Sequence, residues 1–228
     1  EVVFRSSDAL SAADNFMTFK SVVKQAASVS GLYASFMPKP LETEKSSALG
    51  LMFEVYKDGK NLFEEKMLEP EACSFVAGIL GCLPELTVFL RPTTNSYSAD
   101  SRRELGWSNL SGRFSVCIPV VAGIKGRMEL TAADPAIHPH LAYALVVRAG
   151  LEGIRKELAM PRMETASGKL PATLRQAVTA ANRGKLCKAF IPQDVLGSYL
   201  SNKQDAVNDY TKAKKKMEFD RETYFEIL

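Results

Sequence analysis

Two histidines one residue apart, His138 and His140, have the spacing that most directly invites a metal centre, since imidazole is a common ligand for zinc and related ions. They flank Pro139 at the start of a helical pattern, so the competing reading is a polar role at a helix N-terminus. Arg127 and Glu129 are two residues apart in a segment that reads as a strand, which puts a guanidinium and a carboxylate on one face, where they can satisfy each other or their neighbours. Cys73, Cys82, Cys117 and Cys187 contain no CxxC pair and suit reduced, buried thiols better than a zinc site or a disulfide frame. Lys212, Lys214, Lys215 and Lys216 could attract a polyanion, but Asp205, Asp209 and Glu218 dilute the potential, which favours a solvated helix face. No Ser/His/Asp or Cys/His set can be argued, and the chain has no P-loop and no GxGxxG.

The elements that must position these groups follow from periodicity. Phe16, Phe19, Val22, Val23 and Ala26 recur at helical spacing, predicting a helix over Ser11–Ser30 with Gly31 as its left-handed cap. Short apolar runs at Leu32–Met37 and Leu51–Tyr56 read as strands, and Asp58-Gly59 after the second signals a hairpin. A helix over Glu71–Leu83 is expected to break at Pro84, and Thr93–Asn109 reads as a long loop. Strands are expected at Arg113–Ile118 and Gly126–Ala132. Helices are expected over Pro139–Leu158, from Pro171 onward, and over Ser201–Glu218. The fold class is therefore α+β, an antiparallel sheet with helices packed on one face. The whole chain, 1–228, reads as a single domain, with 1–135 mixed helix and strand and 136–228 mainly helical.

At 46% hydrophobic and 24% charged residues the composition is that of a globular protein with a sizeable core. The net charge of +3 is dispersed, so no nucleic-acid partner is expected. No apolar run is read as approaching the roughly 18 to 20 residues that cross a bilayer, and no leader is visible at Glu1–Asp8, so a cytoplasmic protein with no membrane association is expected.

Four segments in order carry a resemblance to a known family. They are Ser11-Ala12-Ala13-Asp14-Asn15 with Thr18-Phe19-Lys20; Phe36-Met37-Pro38-Lys39-Pro40; Phe75-Val76-Ala77-Gly78-Ile79-Leu80 with Pro92-Thr93-Thr94-Asn95-Ser96-Tyr97; and Arg127-Met128-Glu129 with Asp134-Pro135-Ala136 and Ala149-Gly150-Leu151-Glu152-Gly153-Ile154. In these the chain resembles the C-terminal catalytic domain of glutamine synthetases, in a shortened and divergent form. The resemblance implies a curved antiparallel sheet wrapped by helices, and ATP-dependent ligation of glutamate and ammonia through an acyl phosphate. It implies ATP with Mg2+ or Mn2+ held by carboxylates and an imidazole, Arg residues on the transferring phosphoryl group, and assembly into a homo-oligomer or a hetero-oligomer with a related chain. Hard cations need carboxylate oxygens, and a loose phosphoryl transition state needs fixed cations.

Matched residue by residue, the resemblance makes Glu129 a metal ligand, Glu1 a second one, and Arg127 the nucleotide-binding cation. The family's Gly-Ser-Gly-Met-His-x-His loop falls on Ser46–Met52, where both imidazoles are absent and neither Gly50 nor Met52 can hold a hard cation. Gly112 and Cys117 stand at two of the family's arginine positions and Thr131 at a third, while Arg113 points to the opposite face of its strand. The loop after Tyr97 lacks the family's Glu-Ala-Pro element. The resulting expectation is a catalytically degenerate, structural or regulatory relative; the alternative is a divergent carboxylate–amine ligase completed by another chain.

Overall fold

The computed structural model describes residues 2–64, 68–98, 104–110, 112–119 and 126–228. It opens on helix α1, Ala9–Val29, where the Asp8 carboxylate accepts hydrogen bonds from the backbone N–H groups of Leu10 and Ser11 at 3.1 and 3.0 Å. These satisfy two of the donors that a helix N-terminus leaves open. At the other end Gly31 turns the chain with φ +69°, as its position after the helix predicts. The strand expected over Leu32–Met37 does not form. The Phe36 N–H instead donates to the carbonyl of Leu228 at 2.9 Å, so this segment pairs with the chain's last residue rather than joining a sheet.

Strand β1, Leu49–Phe53, is followed by the small hairpin of β2, Tyr56–Lys57, and β3, Lys60–Asn61. Asp58 and Gly59 both take positive φ, 51° and 78°, which is the conformation a two-residue hairpin turn demands. The next helix, α2, runs without interruption from Pro70 to Leu90 and contains Pro84. A proline inside a helix costs about 3 kcal/mol. Burying Leu86, Val88, Phe89 and Leu90 beyond it, at about 1.5 to 3 kcal/mol for each large side chain, outweighs that loss. α2 is also long and apolar enough to cross a membrane by length and composition, against the expectation that no run approaches that length. Most of it is buried within the protein, as the core helix of the fold.

Three strands complete the sheet with one short partner: β4, Glu104–Ser108; β5, Phe114–Cys117; β6, Met128–Ala133; and β7, Gly168–Lys169. The order is β1-β6-β5-β4-β7, and every pair is antiparallel except β4 with β5. The sheet is thus mixed, where an antiparallel one was expected. β4 lies in the stretch that reads as a loop, because Gly106 and Ser108 depart from strand composition. The parallel pair is registered at Glu104 with Phe114, Trp107 with Val116 and Ser108 with Cys117.

The remainder is helical: α3, Pro139–Arg155; α4, Leu174–Arg183; α5, Leu186–Phe190; α6, Gln193–Lys212; and α7, Lys216–Tyr224. α4 starts later than Pro171 suggests, because the Thr173 hydroxyl caps it by accepting from the Gln176 N–H at 3.2 Å. The helix expected over Ser201–Glu218 resolves into α6 and α7, with Ala213 in extended conformation between them. α2 packs on β4, β5 and β6 and also on α3, α4 and α5. Its crossing with α3 is close because both helices present glycine: a Cβ at Gly78 would lie 2.3 Å from the Ala149 carbonyl, and one at Gly153 would lie 2.0 Å from the Ser74 carbonyl. One buried cluster runs from Phe16 through α2, β5, β6, α3 and α4 to Val207 of α6.

Candidate functional site

β6 is the strand that gathers the candidate site residues. In register, Glu129 lies between Met52 of β1 and Cys117 of β5, while Gly50 precedes Leu51, the partner of Leu130. A Cβ built on Gly50 would stand 2.4 Å from Glu129 Oε1, so the carboxylate occupies the space that a side chain at position 50 would need. The fold therefore brings Gly50, Cys117 and Glu129 together, one position that the resemblance assigns to an imidazole, one that it assigns to a guanidinium, and the retained carboxylate. The Cys117 thiol is buried, and its pKa is raised by that burial and by the nearby Glu129 charge.

Arg127 and Glu129 do not satisfy each other. Neither side chain forms a hydrogen bond or an ion pair among the described residues, although both residues are half-buried. Thr131, two residues on, turns its hydroxyl to the sheet and donates to the Phe114 and Ser115 carbonyls at 3.0 and 3.2 Å. Gly112 holds φ at +136°, a conformation that an arginine there would rarely adopt. Arg113 is engaged elsewhere, pairing with Glu104 Oε2 at 2.7 Å and lying over the Phe114 ring. Glu1 lies outside the described residues.

The histidines take different roles. His138 occupies the N-cap position of α3 without a side-chain capping hydrogen bond, and His140 Nε2 meets Asp14 Oδ1 at 2.8 Å, tying α3 to α1. Among the described residues no group of three His, Cys, Asp or Glu side chains could hold a metal ion, so these residues do not fit the divalent-cation centre that the family implies. All four cysteines are free thiols. Of the C-terminal lysines, Lys212 pairs with Asp209, Lys215 with Glu218, and Lys216 donates to the Tyr210 and Thr211 carbonyls.

A cleft of about 1510 Å³ opens between the 38–48 segment, the end of β6 and α7; Ser46, Ser47, Ala48 and Thr131 line it, while Arg127, Glu129 and Gly50 do not. Asn95 braces one side, accepting from the Lys39 N–H at 2.6 Å and donating to the Lys39 carbonyl at 2.9 Å. Asp220 of α7, fully buried, receives hydrogen bonds from Thr94, Asn95 and Ser98, so α7 and the Phe-Met-Pro-Lys-Pro segment are fixed to one loop. Asp134 lines the buried part of this cleft. Burial pushes its pKa up to about 6, against the lowering effect of its hydrogen bonds and of Arg91 and Lys20. Its Oδ1 accepts from the Ala136 N–H at 2.9 Å, while Oδ2 has no hydrogen-bond partner among the described residues. Sequence reading used Asp134 only as part of a recognition segment; a carboxylate at the end of a core strand was the available signal.

An α+β chain whose mixed sheet carries Glu129 of an Arg-x-Glu segment on the interior strand β6, with a close glycine-to-glycine helix crossing, is a specific architecture, and comparison with known proteins places it. The sequence profile of the glutamine synthetase catalytic domain matches residues 1–222. The chain belongs to the glutamine synthetase catalytic-domain family. It is 34% identical to a glutamine synthetase of Methanosarcina mazei over 92% of this chain and 52% of that protein. It is 31% identical to one of Thermus thermophilus over 97% of this chain and 55% of that protein. Among solved structures it is similar to ligand-free GmaS, with a TM-score of 0.83 at 29% identity, covering 95% of this chain and 54% of that one. It is equally similar to GmaS in complex with ADP, with a TM-score of 0.83 at 27% identity over 96% of this chain and 55% of that one. The chain spans about half the length of the curated relatives it matches.

Proposed function

We propose that this chain, folded as one domain over 1–228, is a glutamine synthetase-family protein without glutamate–ammonia ligase activity of its own, acting as a structural or regulatory subunit in the cytoplasm. It assembles with itself or with a related chain. The observation that carries this reading is the neighbourhood of Glu129. Gly50 abuts the carboxylate where an imidazole would be needed, Cys117 faces it where a guanidinium would be needed, and Thr131 is turned into the sheet. One carboxylate beside a glycine and a thiol supplies too few oxygens for Mg2+ or Mn2+. A coupled assay of ATP-dependent glutamate amidation on the purified chain, with either cation, is expected to give no turnover above a no-enzyme control; robust turnover overturns the reading.

A second reading has its own support. The side chains of Arg127 and Glu129 stand without hydrogen bonds or ion pairs among the described residues, and the chain spans about half the length of its relatives. Those two groups suit a site completed by another chain, with Arg127 on a nucleotide phosphate and Glu129, joined by Glu1, on its cation in a divergent carboxylate–amine ligase. Isolation of the native complex distinguishes the two: amidation that appears only with a co-purifying chain, and that Glu129→Gln abolishes, favours the second.

A further inference from the structure

Helix α2 is the core of the fold, yet it comes to the surface for one turn between α3 and α5. Gly81 is exposed, and a Cβ built on it would meet nothing within 4 Å. Cys82 beside it is half-buried and close enough to α3 to feel the charges of Glu152 and Lys156. Further along α2 the Glu85 carboxylate accepts from the N–H groups of Leu186 and Cys187 at 3.4 and 3.2 Å, which holds α5 against α2. The Arg148 guanidinium lies 3.9 Å from the centre of the Phe190 ring and joins α3 to α5. The outer face of α3, the exposed turn of α2 and residues 183–190 therefore form one continuous surface.

That surface carries unbalanced positive charge. Glu152 draws in three cations, Arg155 at 2.6 Å, Lys156 at 3.5 Å and Arg148 at 3.6 Å, and a single carboxylate neutralises only one of them. Arg183, Lys185 and Lys188 are exposed, and their side chains form no hydrogen bond or ion pair among the described residues. Against them stands the exposed Glu157, since Glu85 is engaged with the backbone of α5. Two apolar side chains lie among the cations, Leu151 at 46% exposed and Phe190 at 39%. Arginine and aromatic side chains are the groups that protein interfaces favour. Carboxylates on a polypeptide complement the excess charge, and an apolar side chain on the same polypeptide would cover Leu151 and Phe190. A phosphate backbone would gain from the cations alone, and it would meet Glu152 and Glu157 among them.

We propose that this surface docks an acidic segment of a partner protein, with carboxylates on Arg155, Arg183, Lys185 and Lys188 and an apolar side chain beside Phe190 and Leu151. None of these residues lines the cleft beside α7 or pairs with Glu129 in the sheet, so the proposal stands whether or not the chain has ligase activity. The cations are exposed, so added salt weakens the complex.

Fluorescence anisotropy of a fluorescein-labelled peptide in which glutamates flank one phenylalanine, titrated with the purified chain at low and at physiological ionic strength, tests the proposal. Saturable binding is expected, weakened by salt, and weaker again when glutamine replaces the glutamates or glycine replaces the phenylalanine. Arg183→Glu with Lys188→Glu, at exposed positions, is expected to weaken the peptide by about tenfold or more. Phe190→Ala is expected to weaken it severalfold while leaving the salt dependence unchanged. Lys212→Glu with Lys214→Glu makes the same change in net charge at the far end of α6, about 30 Å from its start beside α5, and is expected to leave the affinity unchanged. No saturable binding at either ionic strength, tighter binding of an oligothymidylate of the same length, or an equal loss from the two charge-reversed pairs would overturn the proposal.

Discussion

Replacing Asp134 by asparagine isolates one buried charge. The carboxyl ordinarily titrates at 3.8 and is held here at about 6, with burial as the main cause. A raised carboxyl favours the protonated form in the fold, so its contribution to stability is fully present below 3.8 and is lost as pH rises through about 6. Above that, the folded protein carries an ionised group that the unfolded chain would solvate better. The difference between 3.8 and about 6 corresponds to about 3 kcal/mol. Asparagine keeps the acceptor for the Ala136 N–H and puts an uncharged amide where Oδ2 lies. Urea denaturation near pH 7.5 is expected to show the variant more stable than the parent, by up to about 3 kcal/mol, and the advantage is expected to shrink to near zero by about pH 4. A variant less stable at neutral pH, or an advantage that does not change with pH, would refute the reasoning.

Three further substitutions probe the fold. Gly153→Ala drives a methyl into the Ser74 carbonyl, a backbone atom that cannot swing aside, and is expected to lower the unfolding free energy by about 2 to 3 kcal/mol; an unchanged urea midpoint would count against the close α2–α3 crossing. Gly50→Ala meets only the tip of the Glu129 side chain, which can rotate, so its cost is expected to stay under about 1 kcal/mol and to vanish in a Glu129→Ala background, as a double-mutant cycle would show. Asp220→Ala removes the acceptor shared by Thr94, Asn95 and Ser98 and leaves buried donors unpaired; limited proteolysis is expected to cut near α7 faster than in the parent, and equal rates would contradict its role as the anchor of that helix.

Much of the architecture is legible in the residues because its segments do physical work. Phe75–Leu80 and Ala149–Ile154 identify the family and are also the surfaces whose glycines let α2 and α3 touch. Asp58-Gly59 announces its turn, and Gly31 its cap, because few residue types tolerate those angles. What was not legible depended on distant partners. Pro84 is tolerated only because apolar residues on both sides of it are buried, and Phe36 leaves the sheet because Leu228 comes back to meet it. β4 is hidden by its own glycine and serine, and with it the parallel pairing. For the candidate site, sequence matching singled out Gly50, Cys117 and Glu129 without being able to place them side by side. It gave no hint that Asp134 would carry an unpartnered oxygen into a cleft, since that is a property of packing.

Whether the face around Glu129 holds a divalent cation by itself is decided by titrating the purified chain with Mn2+, followed by electron paramagnetic resonance with and without ATP. The free-ion signal is expected to rise in proportion to added Mn2+, with no saturable loss and no change on Glu129→Gln. A stoichiometric site that depletes the free-ion signal at micromolar Mn2+, and that Glu129→Gln removes, would contradict the account.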